Sequence, residues 1–260
     1  MKGKFKAAVI VISGDERQRS LAETLLMRGH EVSVSESAPA DAISAVSGSD
    51  AVIFPRYLPC EVLHAVPGMV SSCGPDAVVF SWEHLDCPRR VYDLSCDEFF
   101  LWQNAKITAE GALFCAMKQL RRTIAGARVL VLGAGRVAEC TADIFGSVGA
   151  SVTIAARNTA SLARASARGW SAVNINNVDL CGYDVIINTV PCRIINEDAV
   201  PAGTVLLELA SPPYGFDLEH ARSRNIIAER LPSLPAAYAP VSAASAIADV
   251  VERVMEGERS

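Results

Sequence analysis

The chain has 260 residues, half of them hydrophobic and a fifth charged, a balance that excludes a disordered tail, a collagen-like fibre and a disulfide miniprotein. At about 150 residues per domain, this length suggests two modest domains and not one large core. The 24 Lys plus Arg stand against 29 Asp plus Glu for a net charge of −5, and no block of like charges offers a nucleic-acid groove an electrostatic footing.

At the start, Lys2, Lys4 and Lys6 precede an apolar run from Ala7 to Ile12 that ends at Gly14-Asp15-Glu16-Arg17. That run is too short for a secretory signal, and nowhere does the chain reach the roughly 18 to 20 apolar residues a membrane span needs. Neither export nor membrane insertion is expected, and a cytoplasmic location follows. The eight cysteines show no C-x-x-C spacing, so a zinc ribbon and a dithiol redox centre are not expected, and no metal site is assigned.

In chain order, Ala7–Ile12, Glu31–Ser35, Ala51–Phe54, Ala77–Phe80 and Arg90–Leu94 read as buried strands. Between the first two lies a helix over Asp15–Arg28 with Leu21, Leu25 and Leu26 as its apolar stripe and Gly29 as its stop. This alternation predicts a parallel, flavodoxin-like first domain over 1–103. A helical segment, Asp97–Arg122, carries Leu113, Phe114, Met117 and Leu120 on one face, and its stretch 104–122 is read as a connecting helix along an interdomain cleft.

A second strand series follows: Arg128–Leu132, Ser151–Ala155, Ala172–Ile175, Asp184–Asn188, Val205–Leu209 and Ile226–Ala228, with helices at Val137–Val148 and Thr159–Arg168. This is the βαβαβ pattern of a doubly wound Rossmann sheet, so the fold class is α/β with two domains, the second covering 104–260. The Pro-rich Leu231–Pro240 reads as a loop before a last helix, Ser242–Met255, which packs on the sheet edge or back onto the first domain.

The strongest local signal is Val129-Leu130-Val131-Leu132 running into Gly133-Ala134-Gly135-Arg136-Val137-Ala138, a G-x-G-x-x-A turn between strand and helix. Gly133 permits the tight turn, Gly135 lets backbone N–H groups approach a pyrophosphate, and Ala138 allows close helix-on-strand packing. About 20 residues on, where NAD binders place an acid against the ribose 2′-hydroxyl, the chain has Ala156-Arg157-Asn158. An arginine without a competing acid favours a 2′-phosphate, hence NADP, with NAD the alternative. Thr189-Val190-Pro191, after the fourth strand of the series, is placed beside the nicotinamide end. Of the four histidines only His220 lies in the second strand series, within a charged stretch; the His general base of a 2-hydroxyacid dehydrogenase is not evident.

Several blocks together resemble the A component of dipicolinate synthase, an enzyme family of endospore-forming bacteria. They are Gly14-Asp15-Glu16-Arg17-Gln18, Asn104 with Thr108-Ala109-Glu110-Gly111, Leu132-Gly133-Ala134-Gly135-Arg136, Ala156-Arg157, Ile187-Asn188-Thr189-Val190-Pro191, Leu209-Ala210-Ser211, and Leu234-Pro235 with Ala239-Pro240. The resemblance implies an NADP-linked oxidoreductase subunit that works with a flavoprotein, the B component of the synthase. Its implied reaction converts a 4-hydroxy-tetrahydrodipicolinate or dihydrodipicolinate-type intermediate into dipicolinate, in the mother-cell cytoplasm during sporulation.

For a small ring with two carboxylates, Asp15, Arg17 and Lys106 are the candidate substrate-binding residues, with Arg56 a further cation. Asn104, Thr108 and Glu110 are the candidate catalytic and orienting residues, Glu110 as a base. Two other functions fit the same architecture: a different two-domain NADP-dependent dehydrogenase acting on a shikimate-like or amino-acid-derived substrate, and a non-catalytic NADP-binding regulatory subunit. A homo-oligomer is compatible with either.

Overall fold

The computed structural model describes residues 3–11, 15–36 and 39–257. The chain divides into two compact units, one of residues 1–104 with 235–260, the other of residues 105–234. Ile12, the expected end of the first strand, and Gly14 of the Gly14–Gln18 block lie outside the described residues.

The first unit is a parallel five-stranded sheet of β1 (Lys6–Ile10), β2 (Glu31–Ser35), β3 (Ala51–Ile53), β4 (Val78–Ser81) and β5 (Arg90–Asp93), in the order β2-β1-β3-β4-β5. This is the flavodoxin-like order expected from the strand pattern. Its inner strands β1, β3 and β4 lack an alternating polar face because helices cover both sides: Ala7, Val9 and Val11 enter one core cluster, Ala8 and Ile10 the other. Helix α1 (Glu16–Met27) buries Leu21 and Leu25 in the first cluster and ends ahead of Gly29, whose φ of +91° suits glycine. On the opposite face lie α2 (Pro39–Val46) and α3 (Cys60–Ser71), which supply Val46, Val66 and Met69.

Helix α4 (Glu98–Gln119) follows β5, beginning in the first unit and continuing in the second. Asp97 starts it, accepting a 2.8 Å hydrogen bond from the Phe100 N–H. The same carboxylate accepts from the Tyr92 hydroxyl at 2.5 Å and from Arg253.

The second unit is a parallel six-stranded sheet of β6 (Arg128–Leu132), β7 (Ser151–Ala156), β8 (Ser171–Asn174), β9 (Val185–Asn188), β10 (Val205–Glu208) and β11 (Ile227–Arg230). Its order, β11-β10-β9-β6-β7-β8, is the doubly wound one. Helices α5 (Arg136–Ser147), α6 (Thr159–Ala167) and α7 (Leu218–Ser223) connect the strands. Val129 and Val131 face one cluster, Leu130 and Leu132 the other, so β6 is buried on both sides.

Two expectations need correction. The piece read as a loop over 231–240 contains a short helix, α8 (Leu234–Tyr238), with Pro235 in its first turn, where the missing N–H costs nothing. The last helix, α9 (Pro240–Gly257), takes the second of the two packings expected for it, back onto the first unit, so the domain read as 104–260 does not include it. Its Ala244, Ile247, Val250 and Val251 are buried in the same cluster as Leu21 and Leu25 of α1. Burying each of the three larger aliphatic side chains is worth about 1.5 to 3 kcal/mol. Charges complete the attachment: Arg28 pairs with Asp249 at 2.8 Å and Glu252 at 3.2 Å, and Glu252 also meets the His30 Nε2 at 3.0 Å.

Candidate functional site

The glycine turn of the second unit is built as its spacing requires. Gly133 has a φ of +113°, and a Cβ placed there would sit 2.3 Å from Thr189 Oγ1 and 2.9 Å from Val190 Cγ2. Only glycine satisfies both demands. The close approach is itself held in place, because Thr189 donates from its N–H and from Oγ1 to the Leu132 carbonyl at 3.0 and 2.8 Å. Gly135 is the N-cap of α5 and brings no side chain to cap it, and open space surrounds the position where a Cβ would stand. A helix N-terminus presented in that way accepts a phosphate. Ala138 is fully buried, as close packing on the sheet requires.

Beside the turn lies a cavity of about 410 Å³, and Gly133, Ala134, Ala156, Arg157, Asn158 and Val190 of the expected cofactor set all line it. Arg136, Val137 and Gly135 sit on the turn and the first residues of α5, while Thr189 braces the turn and Pro191 follows it at the surface. Arg157 is exposed and forms no ion pair among the described residues. Asn158 caps α6, its Oδ1 accepting from the Ser161 N–H at 2.7 Å, so that part of its hydrogen-bonding capacity is spent locally.

Three features of this unit were not read from the sequence. Arg193 lines the same cavity, its guanidinium held at 2.7 Å by Glu197, a fully buried carboxylate that also accepts from the Asp217 N–H at 2.7 Å. Glu139, buried on α5, takes Arg164 at 2.7 Å and Arg168 at 3.0 Å, and Arg164 reaches the Ala134 carbonyl of the turn at 3.0 Å. Finally Glu208, fully buried at the end of β10, accepts from Asn188 Nδ2 at 2.7 Å and from the N–H groups of Ala210, Gly215 and Phe216 at 3.1, 2.7 and 2.9 Å. Asn188 in turn accepts from the Val190 N–H at 3.1 Å. One carboxylate thus fixes the two loops at the carboxyl ends of β9 and β10. The bonds span between 2 and 20 residues with no fixed period, which leaves no spacing signal for this network.

The residues expected to hold substrate separate into different settings. Asp15 is the N-cap of α1, its Oδ1 accepting from the Gln18 N–H at 3.2 Å. Arg17 is buried beside Trp82, with its guanidinium carbon 4.7 Å from the indole centroid. Burial pushes the pKa of Arg17 down and the charge of Arg56 adds to this, while Asp15 opposes both. On α4, Asn104 and Thr108 are four residues apart and share a half-buried face, whereas Lys106 and Glu110 share an exposed one about 200° round the helix. The helix therefore does not bring Glu110 together with Asn104 and Thr108.

The histidines have carboxylate partners that spacing does not show. His220 Nε2 lies 2.9 Å from Asp198, and His30 meets Glu252 across 222 residues of chain. Hydrogen bonding from His220, the largest influence, lowers the Asp198 pKa. Neither pair lines the cavity.

Together the two sheets and the glycine turn define a two-unit α/β protein of the dinucleotide-binding class. No family model matches the chain. Among curated proteins it is 33% identical to the dipicolinate synthase A protein of Bacillus subtilis (strain 168) over 157 residues, which is 58% of this chain and 53% of that protein. The aligned stretch is thus about half the length of the curated relative. Two solved structures of dipicolinate synthase A proteins match almost end to end. The one from Bacillus subtilis has a TM-score of 0.80 at 24% identity over 100% of this chain and 99% of its own, and the one from Bacillus halodurans has 0.79 at 26% over 97% and 99%. A D-isomer specific 2-hydroxyacid dehydrogenase from Lactobacillus delbrueckii, solved in an NAD-complexed form, shares the fold at a TM-score of 0.62 and 12% identity, covering 97% of each chain. The resemblance to the A component of dipicolinate synthase is borne out in sequence and in fold. Among the described residues no helix is long and apolar enough to cross a membrane.

Proposed function

We propose that the chain is a nicotinamide-dinucleotide-dependent oxidoreductase of the dipicolinate synthase A type. In this reading it takes NADP in preference to NAD and converts a 4-hydroxy-tetrahydrodipicolinate or dihydrodipicolinate-type ring to dipicolinate together with a flavoprotein, the B component of the synthase. The observation that carries it is the Gly133 turn, closed against Thr189 and Val190 beside a cavity that Arg157, without an ion pair among the described residues, also lines. The end-to-end fold similarity to two dipicolinate synthase A proteins supports the substrate.

The residues present fit the cofactor. The N-terminus of α5 receives a pyrophosphate, Arg157 and Asn158 receive the ribose with its 2′-phosphate, and the loop of Thr189, Val190 and Pro191 borders the nicotinamide end. A bound nicotinamide supplies the acceptor for a hydride. Glu208 and Asn188 keep its loop from shifting, and Arg164 does the same for the glycine turn. Arg17 anchors a substrate carboxylate, and Asn104 with Thr108 orients the ring from the half-buried face of α4. Asp15 contributes through α1, which it caps. Lys106 and Glu110, on the exposed face of α4 about 200° away, do not reach the ring that Asn104 and Thr108 orient. Glu110→Gln is the decisive variant: unchanged dipicolinate formation with the partner present is expected and removes Glu110 as the base.

The overall reading is tested by following nicotinamide absorbance on addition of the ring substrate to purified chain and NADP, with and without the flavoprotein. Substrate-dependent reduction is the expected result. Dinucleotide binding without reduction under either condition would identify a regulatory protein, and failure to bind either dinucleotide would overturn the proposal.

A further inference from the structure

We infer that the carboxyl edge of the first sheet is a preformed site for an organic carboxylate, held by Arg17 and Arg56 over the face of Trp82. The inference deepens the function proposed above and rests on it for the identity of the ligand, while the site stands on the first unit alone.

The topology selects the place. Helix α1, after β1, covers one face of the sheet, and α3, after β3, covers the other. Because β1 and β3 are neighbours, the connections part between them, the topological switch point at which open α/β sheets receive ligands beyond the carboxyl ends of their strands. Arg17 opens α1 on one side of this switch point and Arg56 follows β3 on the other. Trp82 comes directly after β4. Both guanidinium carbons lie over the same indole, 4.7 Å from its centroid for Arg17 and 5.7 Å for Arg56.

The hydrogen bonding and charge are incomplete without a ligand. Arg17 is only 6% exposed, yet neither it nor Arg56 is ion-paired among the described residues. Among the described residues the Arg17 Nε has no hydrogen-bond partner, neighbouring Gln18, 1% exposed, has none for either amide atom, and the indole N–H of Trp82 has none either. A cation taken out of water without a counter-charge is costly, and an indole face steadies it without neutralising it. Two like charges on one ring add repulsion. An anion between them supplies what the protein withholds.

The chemistry favours a carboxylate. The free Nε–H is half of the side-on fork that a guanidinium offers to two carboxylate oxygens. The N-terminus of α1 is already served by a negative group, Asp15, which bonds the Gln18 N–H. A phosphate dianion, which relies on such N–H groups, would face that charge.

Isothermal titration of the full chain with dipicolinate, with no dinucleotide present, tests the site, with inorganic phosphate as competitor. Dipicolinate binding is expected in the wild type. Arg17→Met should weaken it about 10- to 100-fold, as loss of a charge-assisted pair does, and Arg56→Met should weaken it less. Affinity for NADP should stay the same in both variants. Melting of the ligand-free Arg17→Met protein gives a second measurement: an unchanged or raised Tm is expected, since a neutral side chain of similar size replaces an uncompensated charge. Absent binding in the wild type, equal binding by Arg17→Met, a lowered Tm for that variant, or phosphate competing as well as dipicolinate would each overturn the inference. Dipicolinate binding by a wild type that binds no dinucleotide would instead uphold this site and refute the proposed function.

Discussion

Replacing Gly133 by alanine perturbs the turn on which the cofactor site depends, and the structure sets the size of the effect. At a φ of +113° any residue with a Cβ is strained, at about 1 to 3 kcal/mol. The new methyl would stand 2.3 Å from Thr189 Oγ1, an atom that cannot swing aside without giving up its 2.8 Å bond to the Leu132 carbonyl. Overpacking of this kind costs about 1 to 3 kcal/mol, and the lost hydrogen bond about 0.5 to 1.5 kcal/mol more. The sum, about 2.5 to 7.5 kcal/mol, is a large part of the roughly 5 to 15 kcal/mol that stabilises a typical domain. Urea denaturation and dinucleotide titration on the same preparations measure the two consequences. Gly133→Ala should unfold at lower denaturant and bind NADPH weakly where folded. Adding Thr189→Ala removes the contact with Oγ1 but leaves the 2.9 Å approach to Val190 Cγ2 and the backbone strain, so the double variant should recover about 1 to 3 kcal/mol, a negative coupling in a double-mutant cycle. A single variant with wild-type stability and affinity, or a double variant less stable than the single one, would refute the argument.

Arg157→Ala should weaken NADP binding about 10- to 100-fold and NAD binding far less, because only the former carries the 2′-phosphate; titrations showing equal losses would remove Arg157 from cofactor selection. Glu208→Gln should destabilise the chain by about 2 to 5 kcal/mol in denaturant melts, since either amide orientation turns an NH₂ toward backbone or Asn188 donors that now meet an acceptor no longer; wild-type stability would show the network to be dispensable. Burial alone would raise the Asp97 pKa, but hydrogen bonds from Tyr92, the Phe100 N–H and Arg253 outweigh it and hold the carboxyl below its usual range. Its contribution is therefore full above about pH 4 and is lost as pH falls through the folded-state value, so Asp97→Asn should flatten the acid limb of Tm against pH. Coincident acid limbs for the two proteins would refute this.

Strand and helix order is legible in the sequence wherever the signal is local. Buried runs such as Val129–Leu132 show as strands because both faces are covered, and the spacing of Gly133, Gly135 and Ala138 states a backbone requirement within six residues. Arg157 is legible for the same reason, as the side chain that follows a strand at a set distance from the turn. The placement of α9 is not, because an amphipathic helix declares that it has an apolar face and not which sheet will cover it. Contacts 222 residues apart, His30 to Glu252, settle it. Likewise the sequence offers Arg17 and Arg56 as cations for a carboxylate but not their common place, which arises only when β1, β3 and β4 bring them and Trp82 to one edge. Glu197 and Glu208 read as ordinary acids until folding buries them among donors. Backbone geometry and hydrophobic period are properties of neighbouring residues and are written in their order, whereas burial, charge pairing and shared clusters arise only when distant segments meet and exclude water.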